Sequence, residues 1–161
     1  MDPRAAELIT SLHLSPHPEG GYYRRVFYSS EKVLPKDGRG ERRALSTIYF
    51  LLLQGQHSRW HRLRSDEVWH FYEGEGLELL WVEETWQSHN RCILGPLAEG
   101  KSPVAVVPAR CWQAARPLGA YALVGCTVGP GFEFDDFELL KDLPSEAAEF
   151  SRNFPEWARF L

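Results

Sequence analysis

Four residues near the middle of the chain, at fixed separations, constrain the fold more than any other feature. Five residues separate Gly55 from His61, five separate His61 from Glu67, and six separate Glu67 from Gly74. The glycines suit tight turns, and the residues between them suit extended strands. Because alternate residues of a strand share a face, His61 and Glu67 would meet across a hairpin if both side chains point inward.

An imidazole and a carboxylate that converge inside a barrel suit two kinds of chemistry. They could ligate Zn²⁺, Fe²⁺, Mn²⁺ or Ni²⁺, or they could form a general base and its orienting partner. Leu63 stands where this kind of motif usually carries a second histidine, so any metal site has lost a strong ligand. A third interpretation is structural, in which the pair is hydrogen-bonded and only holds the hairpin closed.

A second segment, from Gly100 to Pro117, resembles the other half of such a barrel. Pro108 follows Gly100 after seven residues, Arg110 stands at a turn position that usually holds glycine, and Gln113 stands where a histidine ligand is usual. An amide oxygen is a poorer ligand for transition metals than imidazole, so a His61, Glu67 and Gln113 site would hold metal loosely. The same amide would also suit a substrate hydroxyl or amide group.

The rest of the chain predicts many short strands with a helix at each end. Helices are expected at residues 3–13 and 144–160, and the barrel core at about 20–140. Strands are expected at residues 22–29, 45–54, 57–63, 67–73, 77–83, 89–94, 103–108, 111–116 and 120–128, with 103–108 and 111–116 forming a pair. Many short strands without long intervening helices predict an all-β sandwich or barrel, here as a single domain of 161 residues.

Charge and composition argue against several classes of partner. The net charge is −4 with no obviously basic face, so nucleic acids and anionic membranes are poor candidates. No signal peptide and no apolar run of membrane-spanning length is evident. Three cysteines without metal-type spacing (Cys92, Cys111 and Cys126) predict free thiols in a reduced, cytoplasmic protein.

Five segments of the chain together resemble the cupin-5 family, from about residue 5 to residue 140 and in the family's order. They are HPEGGYYRR at 17–25, STIYFLL at 46–52, HRLRSDEVWHFYEGEGL at 61–77, VVPARCWQAAR at 106–116 and LVGCTVGPGFEFDDFEL at 123–139. The resemblance implies a double-stranded β-helix, or jelly roll, similar to that of sugar-epimerase cupins, and a homodimer. Leu63 and Gln113 fit the family's pattern, whereas Arg110 departs from it.

The resemblance also implies a set of pocket residues. Among these pocket residues, His61, Glu67 and Tyr23 are the catalytic candidates, with Tyr22 as an alternative to Tyr23. The ligand-binding candidates are Glu19, Tyr22, Trp69, Trp112, Gln113 and Phe132, followed by Cys126 and Phe134. A packing role is an alternative for Trp112 and for the phenylalanines, because large aromatic side chains are usually buried.

Three functions are compatible with these residues. The first is proton transfer on a small polar metabolite, such as a sugar or nucleotide-sugar, with His61 as base, Glu67 orienting it and a tyrosine as acid. The second is a metal-dependent enzyme that uses His61, Glu67 and Gln113. The third is a binding or sensor module without turnover. A homodimer is expected in each case, since Trp60 and Tyr72 are predicted to face outward and need cover.

Overall fold

Thirteen strands and two helices make up the computed structural model, which describes residues 1–161. The helices are α1, Pro3–Ser11, and α2, Pro144–Asn153. The strands are β1 Ser15–Pro16, β2 Tyr22–Tyr28, β3 Lys32–Val33, β4 Arg42–Arg43, β5 Ser46–Leu53, β6 Ser58–Leu63, β7 Asp66–Gly74, β8 Leu77–Val82, β9 His89–Leu94, β10 Val104–Val107, β11 Trp112–Pro117, β12 Tyr121–Gly129 and β13 Phe137–Leu139. Neither helix is long and apolar enough to cross a membrane.

The strands form two large antiparallel sheets and one small one. The six-stranded sheet has the order β1-β2-β5-β12-β7-β10, the five-stranded sheet has the order β13-β6-β11-β8-β9, and β3 pairs with β4 alone. Apolar side chains of both large sheets, among them Phe50, Trp69, Leu79 and Val124, pack together in the main core. This arrangement confirms the predicted all-β jelly roll.

Two strand pairings predicted from the sequence are wrong. Strands β6 and β7 do not form a hairpin, because β6 belongs to the five-stranded sheet and β7 to the six-stranded sheet. The short connection at Arg64 and Ser65 therefore carries the chain from one sheet to the other. In the same way, β10 pairs with β7 whereas β11 pairs with β6 and β8. Sequence spacing predicted the strands well but could not distinguish a turn within a sheet from a crossing between sheets.

The C-terminal segment covers the outer face of the five-stranded sheet. Helix α2 ends at Asn153 rather than at residue 160, because Pro155 cannot continue it, and a short 3-10 helix follows at Ala158–Phe160. Phe150 of α2 packs against Trp60, with ring centroids 4.7 Å apart, and Trp60 is fully buried. Trp60 thus lies on the outer face of its sheet, as expected, but α2 of the same chain covers it, so it needs no cover from a second copy.

Arg110 occupies a backbone conformation that favours glycine. Its φ angle is 70°, in the left-handed region, where a side chain costs roughly 1–2 kcal/mol. The Arg110 amide donates a hydrogen bond to the Leu63 carbonyl oxygen at 2.7 Å, which ties this turn to the end of β6. Arg110 thus adopts the conformation that the glycine usual in the family would favour.

Candidate functional site

A cavity opens between the two large sheets. Its enclosed volume of about 50 Å³ has room for a few water molecules, so a larger ligand would extend into the mouth. The residues that line it are His17, Glu19, Tyr23, Arg25, Ser46, Ile48, Phe50, His61, Leu63, Glu67, Cys126, Val128, Phe132, Phe134 and Phe137. Glu19, His61, Glu67 and Cys126 are buried, whereas Arg25 and Phe134 are exposed, which places the polar groups deep and the mouth beside Arg25 and Phe134.

Two glycines bring Glu19 into the cavity. Gly20 and Gly21 have φ angles of 111° and 77°, which other residues rarely adopt. A β-carbon on Gly20 would lie 2.4 Å from the His57 carbonyl oxygen, so no side chain fits there. This close approach lets Glu19, which precedes both glycines, reach the start of β6, where it accepts a hydrogen bond from the Ser58 hydroxyl at 2.8 Å.

His61 is held in one tautomer and faces Glu19. Its Nδ1 lies 2.8 Å from the Arg59 carbonyl oxygen, which can only accept a hydrogen bond, so Nδ1 carries the proton. Its Nε2 lies 3.3 Å from Oε2 of Glu19. Burial lowers the pKa of His61 and raises the pKa of Glu19. Both shifts favour the neutral forms, in which the protonated Glu19 carboxyl group donates a hydrogen bond to Nε2 of His61.

Glu67 faces the cavity from the opposite sheet. Its Oε2 accepts a hydrogen bond from the Gln113 amide at 2.5 Å, and Gln113 in turn accepts one from the Trp69 indole at 3.0 Å. Burial raises the pKa of Glu67 to about 7, despite the opposing effects of His61, Gln113 and the Cys126 thiol. Near neutral pH the Glu67 side chain therefore exists both as an acid and as a carboxylate.

His17 belongs to the same buried group, although the sequence analysis did not select it. Its Nδ1 accepts a hydrogen bond from the Glu19 amide at 3.2 Å, and its ring packs edge-on against Tyr23 with centroids 4.5 Å apart. Burial lowers the pKa of His17. The available sequence signal was its position two residues before Glu19, within the same family segment.

The structure separates the other predicted site residues into three groups. Tyr23 and Phe132 line the cavity, together with Cys126 and Phe134. Trp69 and Gln113 lie behind Glu67 and contact the cavity only through it. Tyr22 packs with the α1 cluster, and Trp112 packs in the core under α2, so neither of these two predicted ligand-binding residues lines the cavity.

Three phenylalanines form an aromatic rim at the mouth. Phe132, Phe134 and Phe137 contact one another with ring centroids 5.0 to 6.2 Å apart. Phe134 remains 54% exposed. The segment that carries these rings is fastened by Asp136, which accepts hydrogen bonds from Arg42 at 2.8 Å and from Arg39 at 3.2 Å.

The predicted metal-ligand set does not fit a metal ion. The Gln113 oxygen is directed at the Trp69 indole, and its nitrogen donates to Glu67, so Gln113 offers no free donor to the cavity. Leu63 lines the cavity at the position of the missing histidine. No group of three or more His, Cys, Asp or Glu side chains is arranged so that it could hold a metal ion.

Comparisons with known proteins agree with this architecture. Residues 6–140 match a protein family described as Cupin superfamily (DUF985). A hypothetical protein from Leishmania major is 32% identical with a TM-score of 0.84, over 96% of this chain and 94% of that chain. A protein from Shewanella oneidensis is 34% identical with a TM-score of 0.80, over 96% and 92% of the two chains.

More distant similarity extends to enzymes. Oxalate decarboxylase from Bacillus subtilis is 15% identical with a TM-score of 0.59, over 87% of this chain and 34% of that chain. At this level of identity the similarity shows the fold alone. No curated protein matches the chain.

Proposed function

The chain belongs to the cupin-5 family of the cupin superfamily, and we propose that its cavity binds a small polar metabolite and moves a proton to or from it. The observation that carries this proposal is a group of buried acid–base side chains that line one cavity. His61 lies beside Glu19, and Glu67 is hydrogen-bonded to Gln113, the residue that pairs with His61 across β6 and β11. Burial raises the pKa of Glu19 and that of Glu67, the latter to about 7, and lowers the pKa of His61.

This arrangement supports acid–base chemistry because Nε2 of His61 and the carboxyl group of Glu67 can each exchange a proton. His61 holds its Nδ1 proton on the Arg59 carbonyl oxygen, so Nε2 is the atom that accepts or returns a proton. Glu19 can pass its proton to Nε2, and the Glu19 carboxylate that this leaves would stabilise the imidazolium. Glu67, with a pKa of about 7, can take a proton from the opposite face of a bound ligand or give one to it.

An epimerase or isomerase needs an acid and a base on the two sides of one carbon. A sugar or nucleotide-sugar is the substrate class that we propose, by analogy with cupins of the sugar-epimerase type. Tyr23 also lines the cavity, and its hydroxyl group is an alternative acid. The aromatic rim, Phe132, Phe134 and Phe137, provides apolar surface against which a sugar ring could stack.

Solvent deuterium exchange tests this proposal. A panel of sugars and nucleotide-sugars is incubated with the protein in D₂O, and loss of carbon-bound protons is followed by NMR. We expect exchange in the wild type and a reduction of at least ~100-fold in His61→Asn and Glu67→Gln, the usual range for a removed acid or base. Glu99→Gln, a carboxyl group exposed outside the cavity, is the matched control and should exchange normally.

Binding without turnover is a second candidate, and one observation favours it. The buried polar groups already satisfy one another, through the Ser58–Glu19 and Gln113–Glu67 hydrogen bonds. Such a network can serve as a rigid floor for a ligand without changing protonation. Ligand-induced thermal stabilisation with no deuterium exchange, in a panel that includes the bound ligand, would select this candidate over the enzyme.

A homodimer is part of the proposal. The outer face of the six-stranded sheet carries Phe27, Tyr72, Val104 and Val106, which are 44–51% exposed. Such a set of apolar side chains on one sheet face is typical of a surface that pairs with another copy. Light scattering should give twice the monomer mass for the wild type and the monomer mass for a Val106→Lys variant. A monomeric wild type would contradict the proposed homodimer.

A further inference from the structure

Arg25 places a permanent positive charge at the mouth of the cavity. It lies two residues after Tyr23 on β2, and both side chains line the cavity beside Phe50 and Ile48 of the neighbouring strand. The other basic groups of the lining are His17 and His61, and burial lowers the pKa of each. Arg25 is therefore the one lining side chain that stays cationic at neutral pH.

This charge has no carboxylate partner in the protein. No Asp or Glu oxygen lies within 4.0 Å of the Arg25 nitrogens, and the same is true of the neighbouring Arg43. By contrast, Arg39, just before β4, and Arg42 of β4 are both paired with Asp136. The sequence thus neutralises the arginines that fasten the aromatic rim and leaves the arginine of the cavity mouth unpaired.

Tyr28 holds the unpaired arginines in place. The guanidinium carbons of Arg25 and Arg43 lie 4.2 and 5.2 Å from the centroid of the Tyr28 ring. The Tyr28 hydroxyl donates a hydrogen bond to Glu133, and Arg43 donates one to the Ser30 carbonyl oxygen at 3.1 Å. A guanidinium that contacts an aromatic ring can keep its edge N–H groups free for an oxyanion.

We propose that Arg25, supported by Arg43 and Tyr28, binds an anionic oxygen group of the ligand, either a carboxylate or a phosphate. The inference rests on the proposed function, because it takes the same cavity as the ligand site. The ligand would then lie with its anionic end at Arg25 and its reacting carbon between His61 and Glu67. Arg25 would select the class of substrate without taking part in the proton transfer.

The carboxyl groups at the inner end of the cavity repel an anion at the mouth only weakly. Burial raises the pKa of Glu19 and Glu67, so their carboxyl groups carry less negative charge near neutral pH than exposed ones would. Neither carboxyl group lies within 4.0 Å of Arg25. The guanidinium is therefore free to pair with a group that enters from solvent.

NMR titration with two simple anions tests the site without knowledge of the ligand. Protein with ¹⁵N-labelled arginine is titrated at pH 7 with inorganic phosphate and, separately, with formate, against sodium chloride at equal ionic strength. We expect the Arg25 Nε–H resonance to shift saturably in the millimolar range, whereas Arg24, on the other face of the same strand, should not respond. Tighter binding of phosphate or of formate identifies which of the two anions the ligand carries.

Two variants assign the binding to this side chain. In Arg25→Gln, the anion affinity measured at the Arg43 Nε–H resonance should fall by about tenfold or more, the usual range for a lost charge-assisted hydrogen bond. Arg24→Gln should bind like the wild type, and Arg25→Lys should retain part of the affinity. If neither anion shifts Arg25 more than chloride does, or if Arg25→Gln binds as tightly as the wild type, the inference is wrong.

These outcomes are independent of the proposed chemistry. Anion binding at Arg25 without deuterium exchange in the sugar panel would keep the anion site and overturn the proton-transfer proposal. Deuterium exchange of neutral sugars, together with no response of Arg25 to either anion, would keep the proton-transfer proposal and overturn the anion site.

Discussion

Replacing Glu67 with glutamine should stabilise the protein, and only at neutral and alkaline pH. Glutamine has nearly the shape of a protonated glutamate, and its oxygen can still accept the hydrogen bond from Gln113. What it removes is the cost of ionising a carboxyl group that is almost completely buried. In an acid whose folded-state pKa is raised, the folded protein holds its proton longer than the unfolded chain does.

The size of the effect follows from the raised pKa. Burial raises the pKa of Glu67 from 4.5 to about 7. Each pKa unit corresponds to ~1.4 kcal/mol, so ionisation of Glu67 lowers the free energy of unfolding by about 3 kcal/mol once the pH exceeds 7. Below pH 4.5 both states are protonated and the penalty vanishes. Stability is therefore lost as the pH rises from 4.5 to 7, and Glu67→Gln should restore it.

Urea denaturation between pH 4.5 and 8.5 measures this difference. The variant should exceed the wild type by less than ~1 kcal/mol at pH 5 and by about 3 kcal/mol at pH 8.5. For a chain of 161 residues the latter corresponds to roughly 6–12 °C in melting temperature. Subtracting the two curves cancels most of the contribution of the buried histidines, which both proteins share.

Glu78→Gln is the control with the opposite sign. Burial alone would raise the pKa of Glu78, but hydrogen bonds from Arg91 and Arg116 lower it overall. Its carboxylate therefore stabilises the fold above its unfolded pKa, and the glutamine variant should be less stable at pH 8.5. A Glu67→Gln variant that is no more stable than the wild type at pH 8.5, or equally stabilised at every pH, would refute the reasoning.

Three further substitutions test the fold around the cavity. Arg110→Gly should stabilise the protein by about 0.5–1 kcal/mol, because it relieves the left-handed strain, whereas Arg110→Ala should not; equal melting temperatures for the glycine and alanine variants would contradict the assignment. Phe150→Ala should destabilise by roughly 3–5 kcal/mol and shift tryptophan fluorescence to the red as Trp60 becomes hydrated; an unchanged emission maximum would contradict the packing. Asp136→Asn should speed amide hydrogen exchange at residues 134–137 and 37–42, since two buried guanidiniums lose their partner; unchanged exchange there would show that the ion pair does not fasten the rim.

Much of the architecture followed from sequence patterns that act over a few residues. Alternation and turn residues predicted the nine longest strands, β2 and β5–β12, but not the strands of two or three residues, β1, β3, β4 and β13. The family segments predicted the jelly roll. Pairing between strands was less predictable, because β6 and β7 are as close in sequence as a hairpin yet lie in different sheets. The end of α2 was missed for a local reason, since the break falls at Pro155.

The sequence predicted several of the residues that line the cavity but not which side chains contact one another. Spacing selected His61 and Glu67, but the partner of His61 is Glu19, which the double-glycine turn brings from a distant part of the sequence. Trp112 was selected from the family resemblance, together with its neighbour Gln113. Adjacent residues of a strand face opposite sides, so Gln113 points to the interior while Trp112 is buried under α2.

We propose that Glu67 is an acid–base group whose pKa is raised to about 7 by its burial between the sheets. A ¹³C NMR titration of the Glu67 side-chain carboxyl carbon from pH 3.5 to 9, assigned with Glu67→Gln, measures this most directly. The account predicts a midpoint at about 7. A midpoint near the ordinary glutamate value of ~4.3 would mean that Glu67 is a permanent carboxylate at neutral pH and would contradict the account.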